Sequence, residues 1–365
     1  MNDAKISVRQ FTILVMMFTI GSSILLVPSA LSVHAKQDAW LSAIVGTLAG
    51  LLIIALLNAI VRRYPDLTFT ECIEKLLGRW IGKCFSLLYV IYAFLLSVVL
   101  LRYIGDFITT QMMPETPIES ILILFLIVVI IAVNLGIETL ARAAELFFPW
   151  IILLLVLIIV FVMPQINFKF IQPVLANGIR PIVHGSLPLI GIPFMELVLL
   201  LMITPRIKTP DKVGGAFLLG GAIGSAILIA FTLMSILVLG PFLSAMHIYP
   251  SFTLTKKINI GDFFQRIEAI LAVVWFLTIF FKLTLTYYAL AEGLARLLGL
   301  SSHRRMLGPL GIICFIYALI IYPNVMYGIK FAGSYWTLFA TTYGLLLPLL
   351  LLIVSFFRKG RSPRS

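Results

Sequence analysis

The chain has 365 residues, of which 61% are hydrophobic and only 12% are charged, and its mean hydropathy is +1.11. Soluble domains carry about 25% charged residues, so this composition excludes an ordinary soluble domain and indicates a membrane protein. The formal charge of +12 does not indicate nucleic-acid binding. The basic residues stand in short clusters between long apolar runs, which is the pattern of membrane topology.

Ten apolar runs are long enough to cross a bilayer as helices of about 20 residues. In chain order they lie near 9–33, 40–61, 83–112, 118–137, 144–163, 185–204, 213–239, 266–297, 308–327 and 333–357. The connections between them are too short to fold as separate soluble domains. We therefore predict an all-α polytopic membrane protein with a single transmembrane domain over residues 1–365.

The first run is interrupted by Gly21, Ser22 and Ser23, and Pro28 follows. Glycine and proline disfavour helix, and backbone groups freed inside a membrane must face protein or a wet cavity. A cleaved secretory signal is the alternative interpretation of this run. Its apolar core would span roughly 7–15 residues, whereas Phe11 to Val33 is 23 residues long.

The connection at 67–81 has apolar residues at helical spacing between charged ones, which predicts an amphipathic helix at the membrane surface. Thr68 and Glu71 fit a capping box at its start. We expect this helix to lie on the cytoplasmic face and to offer Phe69, Ile73 and Leu77 to a partner protein.

Charged residues inside the apolar runs are few, and each must be paired or hydrated. Arg102 and Asp106 stand four residues apart in the third run and can neutralise each other on one helix face. Glu196 in the sixth run and Lys282 in the eighth have no local partner. They therefore need each other, Arg102 or a ligand. At the end of the eighth run, Glu292 and Arg296 are expected to form an ion pair.

The sixth run is interrupted in the same manner as the first, by Pro188, Gly191 and Pro193. Dividing ten helices into halves near 9–163 and 185–357 makes the two interrupted runs the first of each half. Such a pair is the sequence pointer to an inverted repeat with a ligand site at the membrane midplane. Close helix packing without a ligand is the alternative explanation of these glycines.

Residues with hydroxyl groups occur in the same apolar runs as the charged residues. Thr284 and Tyr288 share a helix face beyond Lys282, and Tyr89 and Tyr92 in the third run can contribute in the same way. Membrane tyrosines also serve as packing residues whose hydroxyl has a protein partner.

Of the 27 Lys and Arg residues, 18 fall on the side that holds both termini and seven on the other. This bias predicts that both termini are cytoplasmic. Neither metal nor disulfide chemistry is indicated, because the three cysteines and four histidines are scattered without ligand spacing. The runs also contain no catalytic motif, so an enzyme and a cofactor are not expected.

The segments from Leu77 to Pro117 and from Ala144 to Leu155 resemble the B subunits of nutrient germinant receptors, a family of spore germination proteins. The most specific elements are Leu101-Arg102, Asp106-Phe107-Ile108 and Pro114 to Pro117. The stretch TIGSSILLVPS, from Thr19 to Ser29, is similar to the broken first helix of the amino acid–polyamine–organocation superfamily. Ser23 stands where that superfamily usually has a second glycine.

The resemblance implies a LeuT-like bundle with a 5+5 inverted repeat and broken helices 1 and 6. In transporters of this fold, the broken helices hold the charged groups of the ligand. Carried across by position, the implied ligand-binding residues are Gly21, Ser22, Ser23, Ile24, Gly191, Ile192, Pro193 and Glu196. From the residues themselves we add Tyr92, Lys282, Thr284 and Tyr288, with Arg102 and Asp106 as a charge network. The fifth run has no lysine, serine or threonine between Ala144 and Pro164, which argues against ion coupling there.

The implied function is a membrane subunit of a spore germinant receptor that senses a small germinant, commonly an amino acid, and signals to other subunits. The implied partners are the receptor's A subunit and C lipoprotein, in the inner membrane of the spore. A proton-coupled amino acid permease of the same superfamily is the main alternative, with Glu196 as the proton carrier. A conduit for water or ions that opens on ligand binding is a third.

Overall fold

The computed structural model describes residues 5–257 and 267–359, and this part of the chain is almost entirely helical. The helices are α1 (Val8–Ile20), α2 (Ser23–Ala35), α3 (Ala39–Arg63), α4 (Phe69–Leu77), α5 (Arg79–Gln111), α6 (Ile118–Leu135), α7 (Ile137–Val162), α8 (Ile179–Leu189), α9 (Val213–Met246), α10 (Pro250–Lys256), α11 (Glu268–Leu297), α12 (Leu307–Ile320), α13 (Val325–Phe331), α14 (Thr337–Thr341) and α15 (Leu347–Lys359).

Nine helical stretches among the described residues are long and apolar enough to cross a membrane, and α1 is a shorter apolar helix. In that count α2 and α3 form one stretch, because only the 3₁₀ turn Lys36–Asp38 separates them. The predicted all-helical membrane protein is confirmed, and the number of ten crossings stays a prediction. Arg266, Arg361 and Arg364, which belong to the predicted basic clusters, lie outside the described residues.

Several helix boundaries differ from those predicted. The helix of the fifth run begins at Ile137, seven residues before position 144, because Gly136 at φ 96° ends α6 and leads directly into α7. α9 continues past position 239 to Met246 with a kink at Gly240, whose φ of 80° is readily available only to glycine. The tenth run begins at Val325 and includes two wider π turns, Ala332–Trp336 and Thr342–Leu346.

The bundle has two opposite faces, which are defined here by the helix ends that lie on each. The start of α1 lies beside α7, where Arg9 contacts Glu145 at 3.4 Å, and Arg63 at the end of α3 donates a hydrogen bond to Ser355 in α15. We call this side the terminal face. The opposite side, where α2 ends and α3 begins, is the distal face.

A short backbone pairing fixes the start of the chain to the segment that follows the second interrupted helix. The Ile6 N–H donates to the Arg206 carbonyl at 2.9 Å, and the Lys208 N–H donates to the Ile6 carbonyl at 3.0 Å. Ser7 then begins α1 with a capping box that Gln10 completes. The two segments are therefore joined at the terminal face by main-chain hydrogen bonds.

The predicted amphipathic segment forms α4, and the predicted Thr68–Glu71 capping box is confirmed. Gly78 at φ 87° connects α4 to α5 in a tight turn. The expectation that Phe69 and Ile73 face a partner is wrong, and Leu77 is half-buried. Phe69 and Ile73 are buried within the chain, with 1% and 0% of their surface exposed. Their face packs on α5, α15 and the segment Met195–Met202, because α4 folds back against the bundle.

Removing the buried side chain of α4 is expected to destabilise the protein itself. Ile73→Ala should lower the free energy of unfolding by about 2–5 kcal/mol, because it leaves a cavity in a packed core. Trp80→Ala is the control, since Trp80 is 86% exposed. Denaturant unfolding of both variants in detergent micelles measures the difference. Equal stability of the Ile73 variant and the parent would contradict the burial of this face.

Candidate functional site

The two unpaired charges of the sequence meet at the centre of the bundle. Lys282 Nζ in α11 lies 2.7 Å from Glu196 Oε2, and their side chains are 0% and 2% exposed. A buried charge inside a membrane protein requires such a partner. The two residues were predicted to need each other, Arg102 or a ligand, and the structure pairs them with each other.

Lys282 also connects the two helix interruptions. Its ammonium donates to Ser22 Oγ at 3.0 Å and to the Ile192 carbonyl at 3.5 Å. Gly21 has φ 1° and ψ −111°, which ends α1, and α2 begins at Ser23. Ile192 lies in the π turn Ile190–Phe194, which contains Pro193 and follows α8. A proline has no N–H for a helical hydrogen bond, so this turn departs from α geometry.

The residues around the ion pair are aromatic. The Nε1–H of Trp336 donates to Glu196 Oε1 at 2.7 Å, so both carboxylate oxygens have a cationic or N–H neighbour. The ring of Phe18 faces the Lys282 ammonium at 5.1 Å, within the range of a cation–π contact. Tyr92 stacks on Tyr343 with ring centroids 4.6 Å apart and lies 6.1 Å from the Trp336 ring. This aromatic wall shields the charge pair.

Three buried hydroxyl groups in the core of the bundle have no hydrogen-bond partner in the part of the chain that the structure describes. They are Ser23 Oγ beside Ser22, Thr284 Oγ1 two residues beyond Lys282, and Tyr92 OH. Buried polar groups are nearly always hydrogen-bonded, to protein, water or ligand. The centre of the bundle therefore has hydrogen-bonding capacity that the protein does not use.

A cavity of 240 Å³ opens from the distal face towards this centre. Its walls come from α2, from the 329–334 stretch and from Ile248, and Ile192 forms part of its lining. We call it the distal vestibule. Since the Ile192 carbonyl faces the Lys282 ammonium, the vestibule ends one residue from the ion pair.

The two glycines of the interruptions are in close contact with neighbouring segments. A Cβ on Gly21 would lie 2.6 Å from Lys282 Cδ, and one on Gly191 would lie 2.8 Å from Thr337 Cα. Neither position has room for a side chain. Gly21 thus allows Lys282 to reach the first interruption, and Gly191 allows α14 to approach the second.

Ile24, another of the implied ligand-binding residues, accepts a hydrogen bond at its carbonyl from Ser251 Oγ at 2.7 Å.

Arg102 and Asp106 form a separate cluster. Arg102 Nε donates to Asp106 Oδ1 at 2.9 Å, as predicted for this pair. The guanidinium also donates to the Ala318 and Leu319 carbonyls at 3.0 and 2.9 Å, and Tyr322 donates to Asp106 Oδ2 at 2.5 Å. The cluster ties α5 to the end of α12.

Tyr288 lies away from the ion pair, about 9 Å farther along α11. It lines a cavity of 640 Å³ at the terminal face together with Glu292 and Arg206. There the predicted pair of Glu292 and Arg296 is confirmed at 2.9 Å, and His303 Nδ1 lies 2.7 Å from Glu292. The structure thus places Tyr288 in the lining of the terminal cavity and not at the ion pair, although Tyr288 and Lys282 share one helix.

Sequence reasoning missed Trp336 and Phe18. Trp336 lies near the start of the tenth apolar run, where a tryptophan is usually taken for an interfacial residue. Phe18 is one of many apolar residues in the first run, and its place beside Lys282 depends on the packing of α1 against α11. No local pattern distinguishes either residue.

The ion pair is expected to behave as one unit in unfolding. Lys282→Met and Glu196→Gln should each lower the free energy of unfolding by about 3–5 kcal/mol, because each leaves the other group buried without its partner. The double variant should lose less than either single variant. Lys83→Met, at an exposed lysine of α5, is the control. Additive losses in the double variant would contradict direct pairing.

Gly191→Ala is expected to force α14 away from the π turn, because the added methyl group overlaps the Thr337 backbone. Overpacking of this kind costs about 1–3 kcal/mol. Gly333→Ala is the matched control in the same wall, since no neighbouring heavy atom lies within 4 Å of its added Cβ. Thermal unfolding of both variants provides the measurement, and equal melting temperatures would count against the close contact.

Two solved proteins share the overall fold of this chain. Mhp1, a nucleobase-cation-symport-1 family transporter with bromovinylhydantoin bound, has a TM-score of 0.66 and 12% identity, over 90% of this chain and 75% of its own. MhsT in complex with L-phenylalanine has a TM-score of 0.62 and 16% identity, over 95% of this chain and 97% of its own. At these identities the likeness concerns the fold, and it confirms the expected LeuT-like architecture.

Sequence relatives are closer. Spore germination protein KB of Bacillus subtilis (strain 168) is 31% identical over 372 residues, covering 100% of this chain and 98% of its own length. Spore germination protein YndE of the same organism is 23% identical over 98% of both chains. The family model described as spore germination protein matches residues 5–326. The chain therefore belongs to the spore germination protein family, as a membrane protein with a LeuT-like fold.

Proposed function

We propose that this chain is the germinant-sensing membrane subunit of a spore germinant receptor, and that it binds a small amino acid at the Lys282–Glu196 pair. The observation that carries the proposal is the position of this pair. It joins both helix interruptions, lies at the end of the distal vestibule and has unpartnered hydroxyl groups beside it.

An amino acid matches this site chemically. Its carboxylate is complementary to the Lys282 ammonium, and its ammonium is complementary to Glu196. When the ligand binds, the Lys282–Glu196 pair is replaced by two ion pairs, one between Lys282 and the ligand carboxylate and one between Glu196 and the ligand ammonium. No charge is then left unpaired, as a buried site requires. Ser23, Thr284 and Tyr92 add hydrogen bonds that the protein leaves unused.

The size of the vestibule supports a small ligand. Its 240 Å³ is below the roughly 300–1,000 Å³ of clefts that hold drug-sized molecules. The implied pocket residues Gly21 and Gly191 have no open space at Cβ, so only their backbone atoms form the border of the site. Ser22, Ile192, Pro193 and Ile24 complete the proposed pocket at the two interruptions.

Signalling requires only a conformational change. A ligand shifts an equilibrium by its difference in affinity for the two states, and a few kcal/mol are sufficient to alter a docked subunit. The proposed recipients are the A subunit and the C lipoprotein of the receptor, in the inner membrane of the spore. The proposed orientation puts both termini in the cytoplasm, because the described part of the terminal face carries most of the basic residues.

A proton-coupled amino acid permease is the second candidate, and the likeness to the transporters Mhp1 and MhsT favours it. Glu196 would then carry the proton. Against it, α7 has no lysine, serine or threonine from Ala144 onward, and these are the residue types expected there for ion coupling. We also infer that 9–163 and 185–357 are inverted repeats, with one interrupted helix at the start of each.

Ligand binding and transport can be measured on the same purified protein in liposomes. The receptor proposal predicts saturable binding of one or more amino acids and no sustained uptake under an imposed proton gradient. Binding should be lost in Glu196→Gln and in Lys282→Met, because each removes one of the two charges that hold the ligand. Glu138→Gln, at the exposed pair with Arg142, should leave binding unchanged.

Two results would decide against the receptor proposal. Robust gradient-driven accumulation by the protein alone would favour the permease. Unchanged amino acid binding by both charge variants, at equal protein level, would remove the ion pair from the site altogether.

A further inference from the structure

A second cavity lies between α5 and the chain from Ile321 to Phe339, apart from the distal vestibule. Its volume is 230 Å³, and we call it the aromatic cavity. Its lining includes Val99, Tyr103, Tyr322, Phe331, Trp336 and Phe339. The side chains of Val99, Tyr322 and Trp336 are buried, with 5%, 6% and 4% exposure.

The lining determines what the cavity can hold. It contains no side chain that is charged, and rings supply most of its wall. An apolar cavity of about 150 Å³ lined by leucine, isoleucine and phenylalanine binds benzene or xenon. The aromatic cavity is larger and offers ring edges and faces for stacking. Its chemistry therefore fits an uncharged ring compound.

Two residues that line the cavity donate hydrogen bonds to buried carboxylates. Trp336 donates to Glu196 of the central ion pair, and Tyr322 donates to Asp106 of the Arg102 cluster. The Tyr322 ring also lies 4.9 Å from the Arg102 guanidinium. A molecule in the cavity would thus contact the side chains that hold both buried charge clusters.

The same wall also borders the distal vestibule. Ala332, Gly333 and Ser334 line the vestibule, whereas Phe331 and Trp336 line the aromatic cavity. The π turn Ala332–Trp336 lies between them. Such turns accommodate one extra residue in a helix and are frequent at functional sites. One irregular turn therefore separates the two cavities.

We propose that the aromatic cavity is a second ligand site, which binds a small uncharged ring compound and changes the hydrogen bond between Trp336 and Glu196. This site is separate in place from the amino acid site in the proposed function, and its existence does not depend on that proposal. Its occupant carries no charge and contacts the opposite side of Trp336's segment.

Fluorobenzene is a suitable probe, and the indole N–H groups report its binding. The chain has five tryptophans, so selective ¹⁵N labelling gives few signals, and Trp336→Phe identifies the one from Trp336. Fluorobenzene should shift the Trp336 N–H signal saturably in the purified protein in nanodiscs. The other indole signals should show at most a linear, unsaturated change from partition into lipid.

Variants that fill the cavity separate a site from general partition. Val99→Phe should abolish the saturable shift, and Leu95→Phe is the second such variant if the first does not fold. Ile91→Phe is the control, because Ile91 is exposed on α5 outside the cavity lining. The proposal would be overturned if the parent protein showed no saturable shift. A lipid chain that fills the cavity would exclude fluorobenzene and give that result. An unchanged shift in the filled variants would also overturn it.

Discussion

A charge inside a bilayer is stable only beside a partner, and the centre of this protein is organised by that requirement. Lys282 reaches Glu196 because Gly21 has no side chain in its path, and Trp336 takes the remaining carboxylate oxygen. The Lys282 ammonium also donates hydrogen bonds to both interruptions, to the Ser22 hydroxyl in the first and to the Ile192 carbonyl in the second. One charge pair therefore holds α11, both interrupted segments and the last helical segment in register, and a change in its charge alters all of these contacts together.

The ion pair lies between two cavities of different character. On the distal side the vestibule ends at Ile192, and on the terminal side a larger polar cavity ends at Tyr288. The terminal cavity is bordered by an ionic network in which Glu292 contacts Arg296 and His303, and Arg296 contacts Glu71 of α4. Because α4 also packs on the segment Met195–Met202, this network connects the terminal face to the helix that carries Glu196.

The sequence alone was sufficient for the features that local chemistry determines. Few charges occur in the apolar runs, so Arg102 with Asp106 and Glu196 with Lys282 could be recognised as groups that need partners. Capping of α4 by Thr68 and Glu71 follows from three-residue spacing. Burial of Phe69 and Ile73 did not follow, because an amphipathic pattern does not distinguish a face packed on its own bundle from one packed on another protein. Trp336 and the π turn before it depend on contacts between distant segments, which periodicity does not encode.

The backbone pairing of Ile6 with Arg206 and Lys208 restricts how the centre can open. It joins the beginning of α1 to the end of the second interrupted segment, whereas Lys282 joins the same two segments deeper in the bundle, through Ser22 and Glu196. Separation of the ion pair leaves the terminal attachment in place. A displacement of one segment against the other would then be smallest at this terminal attachment and largest at the distal ends, where the vestibule lies.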